Sequence, residues 1–193
     1  MQNSRLGLAS ALTILLAGGA QAAGPPQPAP QLRSLEAALT GVWSVTDSFA
    51  PNGANADSIN TPKGGTGHGI QVWRSSLGGF TFMEEERQET PVGQVFIVGY
   101  TWWDATSGKL RGMECNSQWP KGCDALASQS EVELSWDGKR FVVDFRDPKD
   151  PRRIVWHEVF TDITPTTFVQ TADIGQPDGS LKRWMTIHAK RIK

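Results

Sequence analysis

From Gly41 onward the chain alternates hydrophobic and polar positions in segments of about 7 to 11 residues rich in Val, Ile, Thr, Phe and Trp. The segments run approximately over 41–49, 67–75, 79–88, 94–103, 109–118, 129–136, 139–147, 152–162, 166–174 and 181–191. Each reads as a strand. Between them lie groups with turn chemistry, among them Asp104-Ala105-Thr106-Ser107-Gly108, Asp137-Gly138, Pro148-Lys149-Asp150-Pro151, Thr164-Pro165 and Gln176-Pro177-Asp178-Gly179. Connections this short force antiparallel neighbours, and no intervening segment reads as a helix long enough for a parallel crossover. The expected fold is therefore all-β, an antiparallel meander of about ten strands closed into a barrel, because closure removes the exposed sheet edges. Upstream, Leu32, Leu35, Ala38 and Leu39 recur at helical spacing and Gly41 supplies a stop, which predicts one short N-terminal helix.

The first residues obey a different pattern. Met1 to Arg5 carries one positive charge, Leu6 to Ala17 is apolar, and Ala20-Gln21-Ala22 offers small residues to a signal peptidase. Residues 1–22 are expected to be a cleaved signal peptide, 23–31 a Pro-rich spacer and 32–193 the barrel domain, located in the periplasm or outside the cell. The apolar run is shorter than the ~20 residues of a membrane helix, so no span is expected after cleavage. In an oxidising compartment the two cysteines, Cys115 and Cys123, are expected to form a disulfide around a small turn. A metal site at this pair lacks a second Cys pair or a nearby His, so no metal is expected. The net charge of −1, with acids and bases interspersed, argues against nucleic acid as a partner.

Chemistry has to be sought on the strands and in one long connection, Pro51 to Gly67, which is rich in Gly, Asn and Pro and reads either as a lid over a barrel mouth or as an insertion. In a barrel, alternate side chains face inward. The segment Phe80 to Arg87 places Glu84 and Glu86 on one face, and Ile154 to Phe160 places Trp156 and Glu158 on one face with His157 on the other. A small, partly apolar ligand inside would meet Trp73, Tyr100, Trp102, Trp156 and Trp184 as walls, with Glu86, Arg87, His157, Gln170 or His188 as orienting groups. Three alternatives accompany this reading. The eight tryptophans suit core packing as well as a ligand wall. His157 or His188 is a candidate haem ligand, although no covalent haem attachment motif is present. Glu84 and Glu86 could form a coupled acid pair in a hydrolase or isomerase, although no nucleophile, nucleotide or metalloprotease motif accompanies them.

A series of motifs carries a resemblance. In order they are Leu39-Thr40-Gly41-Val42-Trp43, Gly78-Gly79-Phe80 with Met83-Glu84-Glu85, Gly99-Tyr100 through Trp103-Asp104, and Ser107-Gly108-Lys109. Trp136-Asp137-Gly138, Glu158 to Thr164, and Asp178-Gly179-Ser180 before Met185-Thr186-Ile187 follow. Over roughly residues 35–191 the chain resembles a bacterial secreted family of lipocalin-like, ten-stranded barrels of unknown function, distantly similar to the haem-binding nitrobindins. The resemblance implies the barrel fold. It assigns no activity, and it places the nitrobindin haem-ligand histidine in the region of His188. The Cys115/Cys123 pair is an addition to the family pattern. Together these readings lead to a non-enzymatic exported barrel with a small-molecule ligand and no obligatory cofactor.

Overall fold

A computed structural model describes residues 26–51, 61, 63–118, 132–147 and 149–193. The expected signal peptide, Cys123, Trp119 and most of the long connection lie outside them. The chain enters through helix α1, Pro30–Leu39, continues through η1, a short 3-10 turn at Leu77–Gly79, and otherwise forms ten strands. These are β1 Gly41–Phe49, β2 Gly65–Ser76, β3 Thr81–Thr90, β4 Gly93–Asp104, β5 Lys109–Asn116, β6 Val132–Trp136, β7 Phe141–Asp147, β8 Asp150–Thr161, β9 Thr167–Gly175 and β10 Leu181–Arg191. All neighbours are antiparallel and consecutive, and β1 pairs with β10 to close the barrel.

The helix begins at Pro30, one position before the end of the expected spacer, because proline's fixed φ suits the first helical turn, where its missing N–H costs nothing. Leu32, Leu35 and Leu39 are fully buried and join the barrel core, so α1 closes one mouth. Trp43 inside β1 donates from Nε1 to the Leu39 carbonyl at 2.8 Å, and Trp136 donates to Ser34 Oγ at 3.0 Å. Arg191 on β10 completes the latch. Its guanidinium lies 4.1 Å from the Trp43 ring centre and donates to the carbonyls of Ala38 and Thr40 at the helix C-terminus, where a cation complements the helix dipole. Between β2 and β3, Leu77–Gly79 form a tight turn with Gly78 at φ +66°, which delays β3 to Thr81.

Beneath the helix, Trp43, Phe168, Phe160, Phe141, Trp73 and Phe82 form a continuous aromatic cluster with ring centres 4.8–5.7 Å apart. A second cluster, Phe49, Trp184 and Trp156, fills the barrel farther along β1 and β10. Trp184 Nε1 donates to Thr61 Oγ1 at 2.9 Å and Thr61 Oγ1 donates to the Ala50 carbonyl at 3.1 Å, which pins one residue of the long connection against this second cluster.

Among the described residues the seam between β5 and β6 has one pair in register, Leu110 with Leu134. On the outside Glu133 of β6 accepts two hydrogen bonds from Arg146 of β7 at 2.7 and 2.9 Å and faces Lys109 of β5 at 3.8 Å. Both partners of the Arg146 pair are partly solvated, so Arg146→Ala is expected to cost only about 0.5–1 kcal/mol in urea unfolding. A much larger loss would show that this bridge, beyond the backbone pairing of β6 with β7, holds β6 in place.

Candidate functional site

Strand alternation turns a set of polar side chains into the barrel, between the two aromatic clusters. Register aligns Trp73 of β2 with Glu84 of β3, Gly99 of β4 and Glu114 of β5, and aligns Gln71 with Glu86, Ile97 and Asn116 one pleat along. Glu158 enters from β8 and Gln170 from β9, and Asp47 from β1. Gln71 Nε2 donates to Glu86 Oε1 at 2.9 Å and to Gln170 Oε1 at 3.0 Å, while Gln88 Nε2 donates to the same Glu86 oxygen. Trp156 Nε1 donates to Glu158 Oε1 at 2.8 Å.

Glu84, Glu114 and Glu158 line a cavity of about 40 Å³ together with Trp73, Phe82, Phe160 and the backbone of Gly99 and Gly112. That space holds a few non-hydrogen atoms. A Cβ at Gly99 would stand 3.4 Å from Glu84 Oε2, an ordinary van der Waals contact, so the glycine leaves room for one methyl beside that carboxylate. Across the seam, on the outer side, a larger pocket of about 370 Å³ is bordered by Trp103, Trp136, Lys109, Arg111 and Glu133. Leu134 borders both spaces.

Burial sets the electrostatics. It pushes Glu86 up to about 8, aided by the charges of Asp47 and Glu158 and opposed by the Gln71 hydrogen bond. Glu158 rises to about 7 by burial, against the hydrogen bonds from Trp156 and Gln170. Asp47 rises to about 6 by burial, with His68 pulling the other way. Glu84 and Glu114 are raised well above the usual carboxylate range by burial and then by the neighbouring glutamates. These five groups hold protons more strongly than surface acids.

Of the residues singled out from sequence, Trp73, Glu86, Trp156, Gln170 and Trp184 do face the interior, as does Glu84. The others do not. Arg87 is exposed on the outer face, with its guanidinium 5.6 Å from the Phe96 ring centre, because it alternates with inward Glu86 and Gln88. Tyr100 and Trp102 alternate with inward Gly99 and Thr101, so their side chains stand on the outer face, but Tyr100 still contributes to the lining of the interior cavity between Gly99 and Thr101. His157 sits outside with Nδ1 2.5 Å from Asp144 Oδ1, and His188 is exposed on β10. Sequence reasoning also missed Glu114, Asp47 and Gln71 as interior groups. The signal for Glu114 was present in the alternation of Gly112, Glu114 and Asn116, but neither face of that segment is clearly apolar.

The residues do not fit a haem. His68, His157 and His188 all lie on the outer surface, and the interior space is far smaller than a porphyrin requires. Among the described residues no cluster of His, Cys, Asp and Glu is arranged to hold a metal, and no helix is long and apolar enough to cross a membrane. Cys115 lies near the end of β5 and is not a free thiol, and its expected partner Cys123 is outside the described residues.

The fold is a lipocalin-like one, a closed ten-stranded antiparallel barrel, here with a polar chamber between aromatic layers. In fold the chain is similar to Rv2717c of M. tuberculosis, with TM-score 0.54 at 9% identity over 86% of this chain and 100% of that one. It also matches the S-type phycobiliprotein lyase CPES of Guillardia theta, with TM-score 0.46 at 11% identity over 84% and 93% of the two chains. No protein-family model and no curated protein sequence matches the chain.

Proposed function

We propose that this is an exported ligand-binding barrel that holds a small molecule in its interior, with aromatic walls for contact and the inward carboxylates and amides for orientation. The observation that supports it most is the chamber itself, in which Glu84, Glu114 and Glu158 face one space otherwise walled by Trp73, Phe82 and Phe160. A filled core needs no such group of acids, and burying them is costly unless something hydrogen-bonds to them. Entry is at the β5–β6 seam, where the outer pocket and the chamber share Leu134 in their linings. A turn of the Leu134 side chain would join the two spaces into one of ligand size. Export from residues 1–22 and a Cys115–Cys123 bridge complete the proposal; intact mass before and after reduction checks both, with loss of the leader and a gain of two hydrogens expected.

Gly99→Ala tests the chamber. The added methyl meets Glu84 Oε2 at 3.4 Å and no backbone atom closer than 3.8 Å, and alanine is the better residue in a strand interior. The variant is expected to keep the wild-type thermal midpoint and to lose the ligand that co-purifies with the wild type in native mass spectrometry. Equal retention of that ligand in both proteins would place it elsewhere.

A further inference from the structure

We propose, resting on the reading of the interior as a ligand site, that its ligand is a small organic cation, a short-chain amine bearing a hydroxyl, held by Glu84, Glu114 and Glu158. The charge balance inside the barrel points to this class. Asp47, Glu84, Glu86, Glu114 and Glu158 come inward from four strands, whereas among the described residues the cation at inward parity, Arg191 of β10, is held at the barrel mouth by the Ala38 and Thr40 carbonyls and the Trp43 ring. Several cations of the wall are paired outside it, as with Arg146 on Glu133, Arg153 on Asp147 and Arg183 on Asp173. Once ionised, these carboxyls are acceptors without a matching donor charge in the interior.

The hydrogen-bond account agrees independently. Gln71 is fully buried and donates to Glu86 and Gln170, yet its Oε1 has no partner. Both oxygens of Asp47, only 3% exposed, are likewise unmatched. Gln71 and Asp47 lie beside the chamber and not on its lining, so their bare oxygens add to the interior's surplus of acceptors, while an ammonium group offers three donors and a full charge to the lining carboxylates. Trp73 adds a complementary detail. It is 3% exposed, it lines the chamber, and its indole N–H has no partner, so it offers a donor to a hydroxyl oxygen of the ligand. The chamber of about 40 Å³ restricts the ligand to a few heavy atoms unless Leu134 moves. A metal ion is the less suitable occupant, because the acids are not gathered at coordinating geometry, whereas N–H donors tolerate looser placement.

The experiment is a titration of the mature protein at pH 8.5 and constant ionic strength with ethanolamine, its neutral isostere ethylene glycol, and calcium chloride, read by tryptophan fluorescence and thermal midpoint. Ethanolamine is expected to bind saturably and ethylene glycol at least tenfold more weakly. Glu84→Gln and Glu158→Gln, which relieve buried charge and so should fold, are expected to weaken ethanolamine at least tenfold. Lowering the pH to 5 should weaken it further, since the carboxyls of Asp47, Glu84, Glu86, Glu114 and Glu158 then hold protons. Tighter binding of calcium, equal binding of the neutral isostere, or indifference to both Gln substitutions overturns the cation assignment. A neutral molecule that co-purifies and is lost on Gly99→Ala overturns that assignment while leaving the interior ligand site standing; absence of any interior ligand removes both.

Discussion

Phe160→Ala is expected to destabilise the barrel by about 3–5 kcal/mol, enough to lower the thermal midpoint by roughly 10 °C in a chain of this length. Phe160 is 1% exposed and its ring touches three others, with centres 5.7 Å from Trp73, 5.4 Å from Phe141 and 5.7 Å from Phe168. Truncation removes these contacts together. It also enlarges the chamber that Phe160 borders, and the rigid wall of paired strands cannot collapse to fill it. Total stability for a domain is only about 5–15 kcal/mol, so the loss is a large fraction of it. Urea unfolding checks it, with the midpoint falling and the slope unchanged. A cost below about 1 kcal/mol would mean that the aromatic cluster is loosely packed and the barrel is held mainly by its backbone ladder.

The second large effect is an inverted pH dependence, with greater stability in mild acid than in mild base. Folded Glu86 keeps its proton to about pH 8, whereas the unfolded side chain loses it near 4.5. Between those values the folded state binds more protons than the unfolded state, so stability falls as pH rises. Glu158 at about 7 and Asp47 at about 6 add to the same slope, and Glu84 and Glu114 act in the same direction. The contribution is complete below the unfolded value and is lost on passing through about 6, 7 and 8. Several kcal/mol are at stake, and the thermal midpoint is expected to fall by about 10 °C between pH 5 and pH 9. Surface acids oppose this only at lower pH. Asp147, held down chiefly by its Arg153 hydrogen bond, and Glu133, by Arg146, lose their stabilising charge as the pH drops below the ordinary carboxylate range. Glu86→Gln preserves an oxygen acceptor for Gln71 and Gln88 and is expected to flatten the profile, raising the midpoint at pH 8–9. A flat wild-type profile would show that these carboxyls are solvated in the folded protein.

Much of the architecture was legible before any coordinates. The turn groups Asp137-Gly138 and Asp178-Gly179 end strands where they were expected to, and β1 and β10 match their predicted limits. Departures have local causes, such as the positive φ of Gly78 that turns Leu77–Gly79 into a 3-10 turn ahead of β3. The candidate site was legible only in part. Glu84 and Glu86 were expected to share a face and do, but His157, His188 and Arg87 were grouped with them because side-chain chemistry was weighed apart from strand parity.

Alternation along the chain determined the strands and which residues share a face, because a pleated backbone has period two whatever surrounds it, and the short turn-forming connections determined their antiparallel order. It could not determine which face points inward where both mix apolar and polar residues, as in Phe80 to Arg87 and Ile154 to Phe160. Only closure of β1 on β10 decided that, by setting Glu84, Glu86, Glu114, Glu158 and Asp47 from distant parts of the sequence in one interior. The shared environment then raised their proton affinity, a property that exists only when the carboxyls are buried together.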